Sequence, residues 1–284
     1  MRTIKHIHTA EYSPISDLET YRAIPTRTVQ YIDPFLFLNH HGPQVYPPNN
    51  NGLPFGPHPH RGMETVTFIL NGDISHKDSS GHESIINAGG VQWMTAGKGL
   101  IHAEVSSDEF KEKGGPLEIL QLWLNLPAKL KMTKPFYKGL QKEDIPSVAM
   151  DNGKVKLNLV SGKWESEEGA FNSAVDVHLS TAHFEKDGFY SIDIPKEQNI
   201  FFYVINGNVV VNGTDVEALK LVEFNNDGEK LEIKAKTESI VLLGFAKPLD
   251  EPVVAQGPFV MNTEKEIEDA YKDYRQGKFG TWSS

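Results

Sequence analysis

The chain has 284 residues, no cysteine, and 28 Lys and Arg against 38 Asp and Glu, a formal net charge of −10. That length accommodates about two domains with cores of their own, and the lack of thiols excludes disulfides, thiolate metal sites and cysteine nucleophiles, so any metal must be held through nitrogen and oxygen. The acidic balance opposes the phosphate neutralisation on which nucleic-acid binding depends, and no apolar run reaches the ~20 residues of a spanning helix, so neither direct nucleic-acid binding nor membrane insertion is expected.

The first residues, MRTIKHIHTAEYS, lack the apolar core of a secretory signal, which leads to the expectation of a cytoplasmic protein. Next comes Leu38-Asn39-His40-His41-Gly42, where adjacent strand residues face opposite ways and at most one histidine can point into a pocket. Pro57-His58-Pro59-His60-Arg61-Gly62-Met63-Glu64 then leads into a β-branched and aromatic run, Thr65–Leu70. The run stops at Asn71-Gly72, a dipeptide that supplies positive φ and predicts a hairpin. Gly97-Lys98-Gly99-Leu100-Ile101-His102-Ala103-Glu104 follows, with a weakly marked helix over Ser106–Lys113.

Short apolar runs bounded by Gly, Pro, Asn or Asp recur at 119–124, 156–160, 201–205 and 240–244. With 24 Gly and 17 Pro this is the texture of an all-β sandwich or barrel. Only near the end does a helical period appear, with Ile267, Ala270, Tyr271 and Tyr274 on one stripe. Thr263 followed by Glu266 is a capping-box pattern, and Gly277 suits the closing left-handed residue.

Phe68–Ile74 and Tyr203–Val209 share an apolar-Asn-Gly-Asx-apolar pattern at an offset of 135 residues, about half the chain, which suggests a duplicated domain. The Pro-flanked basic segment Pro127–Pro135 reads as a crossover or surface stretch, so the halves are expected to meet there, as 1–135 and 136–284. A monomer is expected, since a duplicated domain supplies its own packing partner.

All eleven histidines lie at or before His183. His76, His82, His178 and His183 sit near turn or charged residues and read as solvated, whereas Trp93 and Trp123 read as core fillers or as the lining of a ligand pocket. His58-x-His60 and His102-x-Glu104 are different. On a strand, residues i and i+2 share a face, so two strands can aim three imidazoles and a carboxylate at one point. A lone His-x-His pair is commonplace on a solvated strand, but a second pair some forty residues on, after a Gly-x-Gly turn, points to a mononuclear metal site. An N3O set suits a first-row divalent metal with one or two open positions.

These residues resemble the cupin superfamily. Gly52, His58, His60, Glu64 and Gly72 match its first motif with a closing interval one residue longer than usual, and in the second motif Gly97 replaces the usual proline. Within the cupins the chain resembles the pirin family through Asp33-Pro34-Phe35-Leu36, Pro57–Gly62, Glu64-Thr65-Val66, Gly97–Glu104, Leu120–Trp123 and Gly257–Asn262. That resemblance implies two jelly-roll β-barrel domains packed face to face with a short C-terminal helix, and one metal in the N-terminal domain on His58, His60, His102 and Glu104. Glu64 is by the same analogy not a direct ligand. Carrying the offset of 135 from positions 58, 60 and 64 reaches Asp193, Pro195 and Asn199, which cannot rebuild the site, so the second domain is expected to be metal-free.

The activity implied is that of a flavonol dioxygenase of the quercetin 2,3-dioxygenase type, taking a small aromatic or enol substrate and O2, with Glu104 as general base. Fe(II) leads as cofactor, with Mn, Co, Ni, Cu or Zn also compatible with the donors. The alternative implied by the family is a metal- and redox-dependent regulatory protein, whose acidic surface would meet a basic protein partner.

Overall fold

In the computed structural model, which describes residues 1–164 and 166–282, strands dominate. Among the described residues no helix is long and apolar enough to cross a membrane. The chain divides into two compact units. One comprises Tyr12–Tyr21, Phe37–Glu143 and Leu249–Ser284, and the other Met1–Glu11, Arg22–Leu36 and Asp144–Pro248. We call them the histidine unit, which holds His58, His60 and His102, and the aliphatic unit.

Each unit is built on a seven-stranded and a four-stranded sheet. In the histidine unit the smaller sheet runs Phe55–His60, Leu100–Val105, Asp73–Asp78, Glu83–Asn87. In the aliphatic unit it runs Phe189–Asp193, Lys230–Ala235, Asn208–Val211, Thr214–Glu217. The order is the same, with each strand replaced by its counterpart in the other half of the chain. Alternating apolar residues close the interior: in the aliphatic unit Leu157, Leu159, Phe202, Val204 and Val222 of the large sheet share one cluster with Val209, Val211, Leu231 and Ile233 of the small one. Burying a side chain of this size contributes about 1.5–3 kcal/mol, so the two-sided core holds the sheets together.

The units differ from a division at 135/136 at both ends of the chain. Ile4–Thr9 pairs antiparallel with Lys220–Phe224, and so completes the large sheet of the aliphatic unit. Residues Leu249–Ser284 belong to the histidine unit, where Phe259, Met261, Ile267, Ala270 and Phe279 form one buried cluster. Strand pairing across more than two hundred residues, and apolar packing of the terminal cluster on Ile101, override the linear order.

Asn71-Gly72 turns the chain through Gly72 at φ 82°, yet it makes no hairpin. Met63–Asn71 lies in the seven-stranded sheet and Asp73–Asp78 in the four-stranded one, so the turn is a corner between sheets. Asn206-Gly207 repeats the corner, with Gly207 at φ 83° and a Cβ there only 2.3 Å from the Glu238 carbonyl oxygen.

The terminal helix spans Glu264–Arg275, with the Thr263–Glu266 capping box formed in both directions. Ile267 and Ala270 are buried, and the helix packs on the ribbon Val254–Gln256/Phe259–Met261. A second short helix, Asp108–Lys113, is capped by Ser107.

Candidate metal centre

The site is built on the four-stranded sheet of the histidine unit. Phe55–His60 runs antiparallel to Leu100–Val105 with His58 opposite His102 and His60 opposite Leu100. On its other side Leu100–Val105 pairs with Asp73–Asp78, placing Asp78 opposite His102 and His76 opposite Glu104. Cross-strand partners share a face, so alternation collects His58, His60, His102, Glu104, His76 and Asp78 on one side of the sheet.

Three of these converge. His58, His60 and His102 bring their ligand atoms within 4.8 Å of one another, with ring centroids 4.4–5.0 Å apart. His60 and His102 are buried, while His58 is half-buried and opens the site to solvent. Burial, then the neighbouring His58, pushes the His60 imidazole down to about 3 against a weak pull upward from Pro258. Burial and the neighbouring imidazoles push His102 well below its ordinary value too. Both rings are therefore neutral at pH 7, the state in which an imidazole lone pair binds a metal.

Hydrogen bonds choose the ligating nitrogen. His58 Nδ1–H donates to the Gly56 carbonyl at 2.7 Å, and His60 Nδ1–H to the Pro258 carbonyl at 3.1 Å. Each leaves Nε2 free. His102 is fully buried with neither ring nitrogen hydrogen-bonded, an arrangement that costs roughly 1–3 kcal/mol unless something electrophilic meets it. Neutral imidazoles with convergent lone pairs and an orphaned buried nitrogen fit a divalent transition metal.

Glu104 stands apart from the three imidazoles. Gln92 Nε2–H donates to its Oε1, and Thr67 Oγ1 lies 3.0 Å from the same oxygen. Gln92 is itself held, because the Tyr137 hydroxyl donates to its Oε1 at 3.0 Å and the Ser84 hydroxyl supports Tyr137 at 2.5 Å. Burial raises the Tyr137 phenol above its ordinary value, keeping it a donor. These bonds engage Oε1 and not Oε2.

Around this set lie further buried polar groups. His76 is buried instead of solvated, bonded through Nε2 to Asp78 Oδ2 at 3.1 Å and stacked on Tyr137 at 3.9 Å. Burial pushes the Asp78 carboxyl up, but bonds from His76, Ser80 and the backbone at 80 and 82 outweigh it and hold it well below the usual carboxylate range. The signal was available: His76-x-Asp78 is a third i, i+2 pair. Gln92 and Thr67 carried none. His40 and His41 are both buried, on Glu118 at 3.0 Å and Thr20 at 2.9 Å. Among the other histidines His82 is exposed, whereas His178 and His183 are half-buried. Trp93 is core, whereas Trp123 is half-buried, edge-on to His60 at 5.2 Å and stacked on Phe37 at 4.4 Å.

Glu64 sits on the large sheet opposite Thr95, whose hydroxyl donates to Oε1 at 2.7 Å. Burial pushes its carboxyl up to about 7, against hydrogen bonds from Thr95 and Trp93.

Two loops hold the ligand strands. Gly97 lies at φ 49° and a Cβ there would stand 2.2 Å from the Thr133 carbonyl oxygen, which explains why proline is absent from this position. Lys131, in the segment expected at the surface, is buried and donates to the Gly62 and Val260 carbonyls and to Asn125 Oδ1 at 2.6–3.1 Å. Burial lowers its ammonium to about 8, against the raising charges of Glu251 and Glu266. Arg61 donates to the Lys98 carbonyl and Asp273 and lies 4.6 Å from the Phe279 ring centre.

Equivalent positions in the aliphatic unit follow from register. Aligning the Asn71-Gly72 and Asn206-Gly207 corners puts Val211 at the place of His76, and Val211 pairs with Ile233 as His76 pairs with Glu104. Two residues earlier Leu231 replaces His102, and its partner Ile192 replaces His58. Ile194, bonded to the Glu229 carbonyl, replaces His60. The counterparts are thus Ile192 and Ile194, one residue short of the offset of 135, because the stretch 195–198 is one residue longer than 61–63. Position 64 keeps its counterpart at Asn199.

Comparison with known proteins agrees with this arrangement. A family model described as Pirin matches residues 17–124, and one described as Pirin C-terminal cupin domain matches 179–280. The chain is 34% identical over 266 residues to a Pseudomonas aeruginosa protein named "Putative quercetin 2,3-dioxygenase", covering 94% of this chain and 92% of that one. It is 36% identical over 260 residues to a Pirin-like protein of Caulobacter vibrioides, covering 91% of each. The crystal structure of a quercetin 2,3-dioxygenase from Acinetobacter baumannii superposes with a TM-score of 0.92 at 34% identity, covering 99% of both chains.

Proposed function

This chain belongs to the pirin family, and from that premise we propose that it is a metal-dependent dioxygenase of the quercetin 2,3-dioxygenase type, with His58, His60, His102 and Glu104 as ligands. The observation that carries the reading is the convergence of three imidazoles, two of them buried and neutral, on the same face of the sheet as the buried Glu104 carboxylate. The names of the relatives support the reaction class. A divalent first-row metal, Fe(II) first, supplies Lewis acidity and a one-electron route to O2 when bound.

The chain's own residues do the rest. Glu104 accepts the proton of an enolic or 3-hydroxyl group, acting through Oε2 while Gln92 and Thr67 hold Oε1. That anchoring fixes the carboxylate without consuming its basic oxygen. His58, at the open side, borders the approach, and Trp123 with Phe37 offers an aromatic wall against which a flat substrate can lie. Each unit is read as a cupin jelly roll, in a cytoplasmic and monomeric protein.

Metal content and oxygen uptake on quercetin, followed together in wild type, His58→Ala/His102→Ala and Glu104→Gln, test this. About one metal per chain with uptake, both lost in the double variant and uptake alone lost or strongly reduced in Glu104→Gln, is the expected pattern. Metal without uptake over a panel of flavonols would overturn the enzymatic reading in favour of a regulatory binding protein, for which the charge of −10 favours a basic partner. No metal after reconstitution would overturn the site itself.

A further inference from the structure

The aliphatic unit contains a cavity of about 580 Å³, within the size range of small-molecule sites. Ile192, the counterpart of His58, lines it, so the position proposed as a metal ligand in one unit borders a chamber of mixed polar and apolar lining in the other. We infer that this chamber is a second, metal-independent binding site for a neutral, planar, hydroxylated aromatic molecule.

Shape comes from the wall. His178 stacks on Phe245 at 4.4 Å and 15°, and Trp164 stands edge-on to both at 6.1 and 5.2 Å. Trp164 Nε1–H donates to the Ser161 carbonyl at 2.8 Å, and a Cβ on Gly162 would fall 2.6 Å from the His178 ring. Leu157, Leu159 and Ile192 supply the apolar side. Flat aromatic molecules pack on such surfaces with gain beyond area burial.

Polarity comes from Gln198. It lines the cavity, is nine-tenths buried, and its Oε1 has no hydrogen-bond partner. That oxygen is enclosed, and a ligand hydroxyl would satisfy it once the amide turns toward the cavity. Lys163, Glu167 and Asp193 also line the cavity, two carboxylates to one ammonium, which disfavours an anionic ligand.

The test is calorimetric titration of the full-length His58→Ala/His102→Ala protein, in which the first site is disabled, with 2-naphthol and with naphthalene as the control lacking the hydroxyl. One 2-naphthol per chain is expected, bound about tenfold more tightly than naphthalene. Gln198→Leu should erase that preference, and Val148→Trp, which fills the half-buried mouth, should weaken both probes at least tenfold. Methyl NMR of Ile192 and Leu159 should shift on titration even if a variant folds poorly. No saturable binding, binding untouched by both substitutions in folded protein, or shifts confined to methyls elsewhere would overturn the site.

Discussion

The two units share a strand order and a corner turn but not a chemistry. Where the histidine unit carries His58, His60, His102 and Glu104, the aliphatic unit carries Ile192, Ile194, Leu231 and Ile233. Both sets point from the same strands of the smaller sheet. Turns, alternation and core packing therefore specify the frame, and at these four positions one unit carries groups able to hold a metal where the other carries aliphatic side chains.

Four substitutions break or sharpen that contrast. Copying the aliphatic residue at its most buried position, His102→Leu, should lower metal affinity by more than about 100-fold, given that losing even an outer contact costs 10–100-fold. Metal analysis after dialysis against a chelator, with circular dichroism to show the fold intact, reads this directly. Retained stoichiometric metal would mean His102 is no ligand.

Next in size is Gln92→Leu, which removes one of the two donors holding Glu104 Oε1 but no proposed ligand. Oxygen uptake should fall about 10–100-fold with metal content kept near wild type. Loss of metal and activity together would instead make Gln92 part of what assembles the centre.

Glu64→Gln copies the neutral amide of Asn199. The folded carboxyl titrates at about 7 and its ordinary value is 4.5, so the folded state keeps a proton that the unfolded chain releases in between. Its stabilising contribution is complete below pH 4.5 and is lost as pH rises through 7. Wild type should therefore lose stability relative to Glu64→Gln at up to about 1.4 kcal/mol per pH unit across that window. Urea midpoints at pH 4.5, 6 and 8 reveal it. Parallel curves for the two proteins would refute the buried, raised carboxyl.

Smallest is Thr263→Ala in the terminal helix of the histidine unit. Removing the capping hydroxyl should cost about 1 kcal/mol, visible as a few degrees in Tm, with metal content unchanged.

Much of this arrangement was legible in the sequence, and the rest was hidden for physical reasons. The two ligand pairs stand out because a strand repeats every two residues, and the terminal helix because its capping box and apolar stripe are local signals. Asn-Gly reports that the chain turns, but not whether the next strand pairs with the last or crosses to another sheet. The one-residue slip between Asp193 and Ile192 arises in a loop, where length is free to vary. Gln92, Thr67 and Tyr137 come from three separate strands and meet only through sheet register, so no spacing announces them. The exchange of the two end segments is set by pairing such as Ile4 with Phe224, for which short stretches of sequence hold no mark.

That exchange also has a temporal side. His60 finds its carbonyl acceptor in Pro258, 198 residues further along, and Lys131 ties the loop after His60 to Val260. A ribosome making this protein has therefore passed through the whole aliphatic unit before the imidazole can be locked in its tautomer. The histidine unit, whose imidazoles are made early, is thus completed last, and a nascent product stopped near residue 135 would display three histidines without the clasp that aims them.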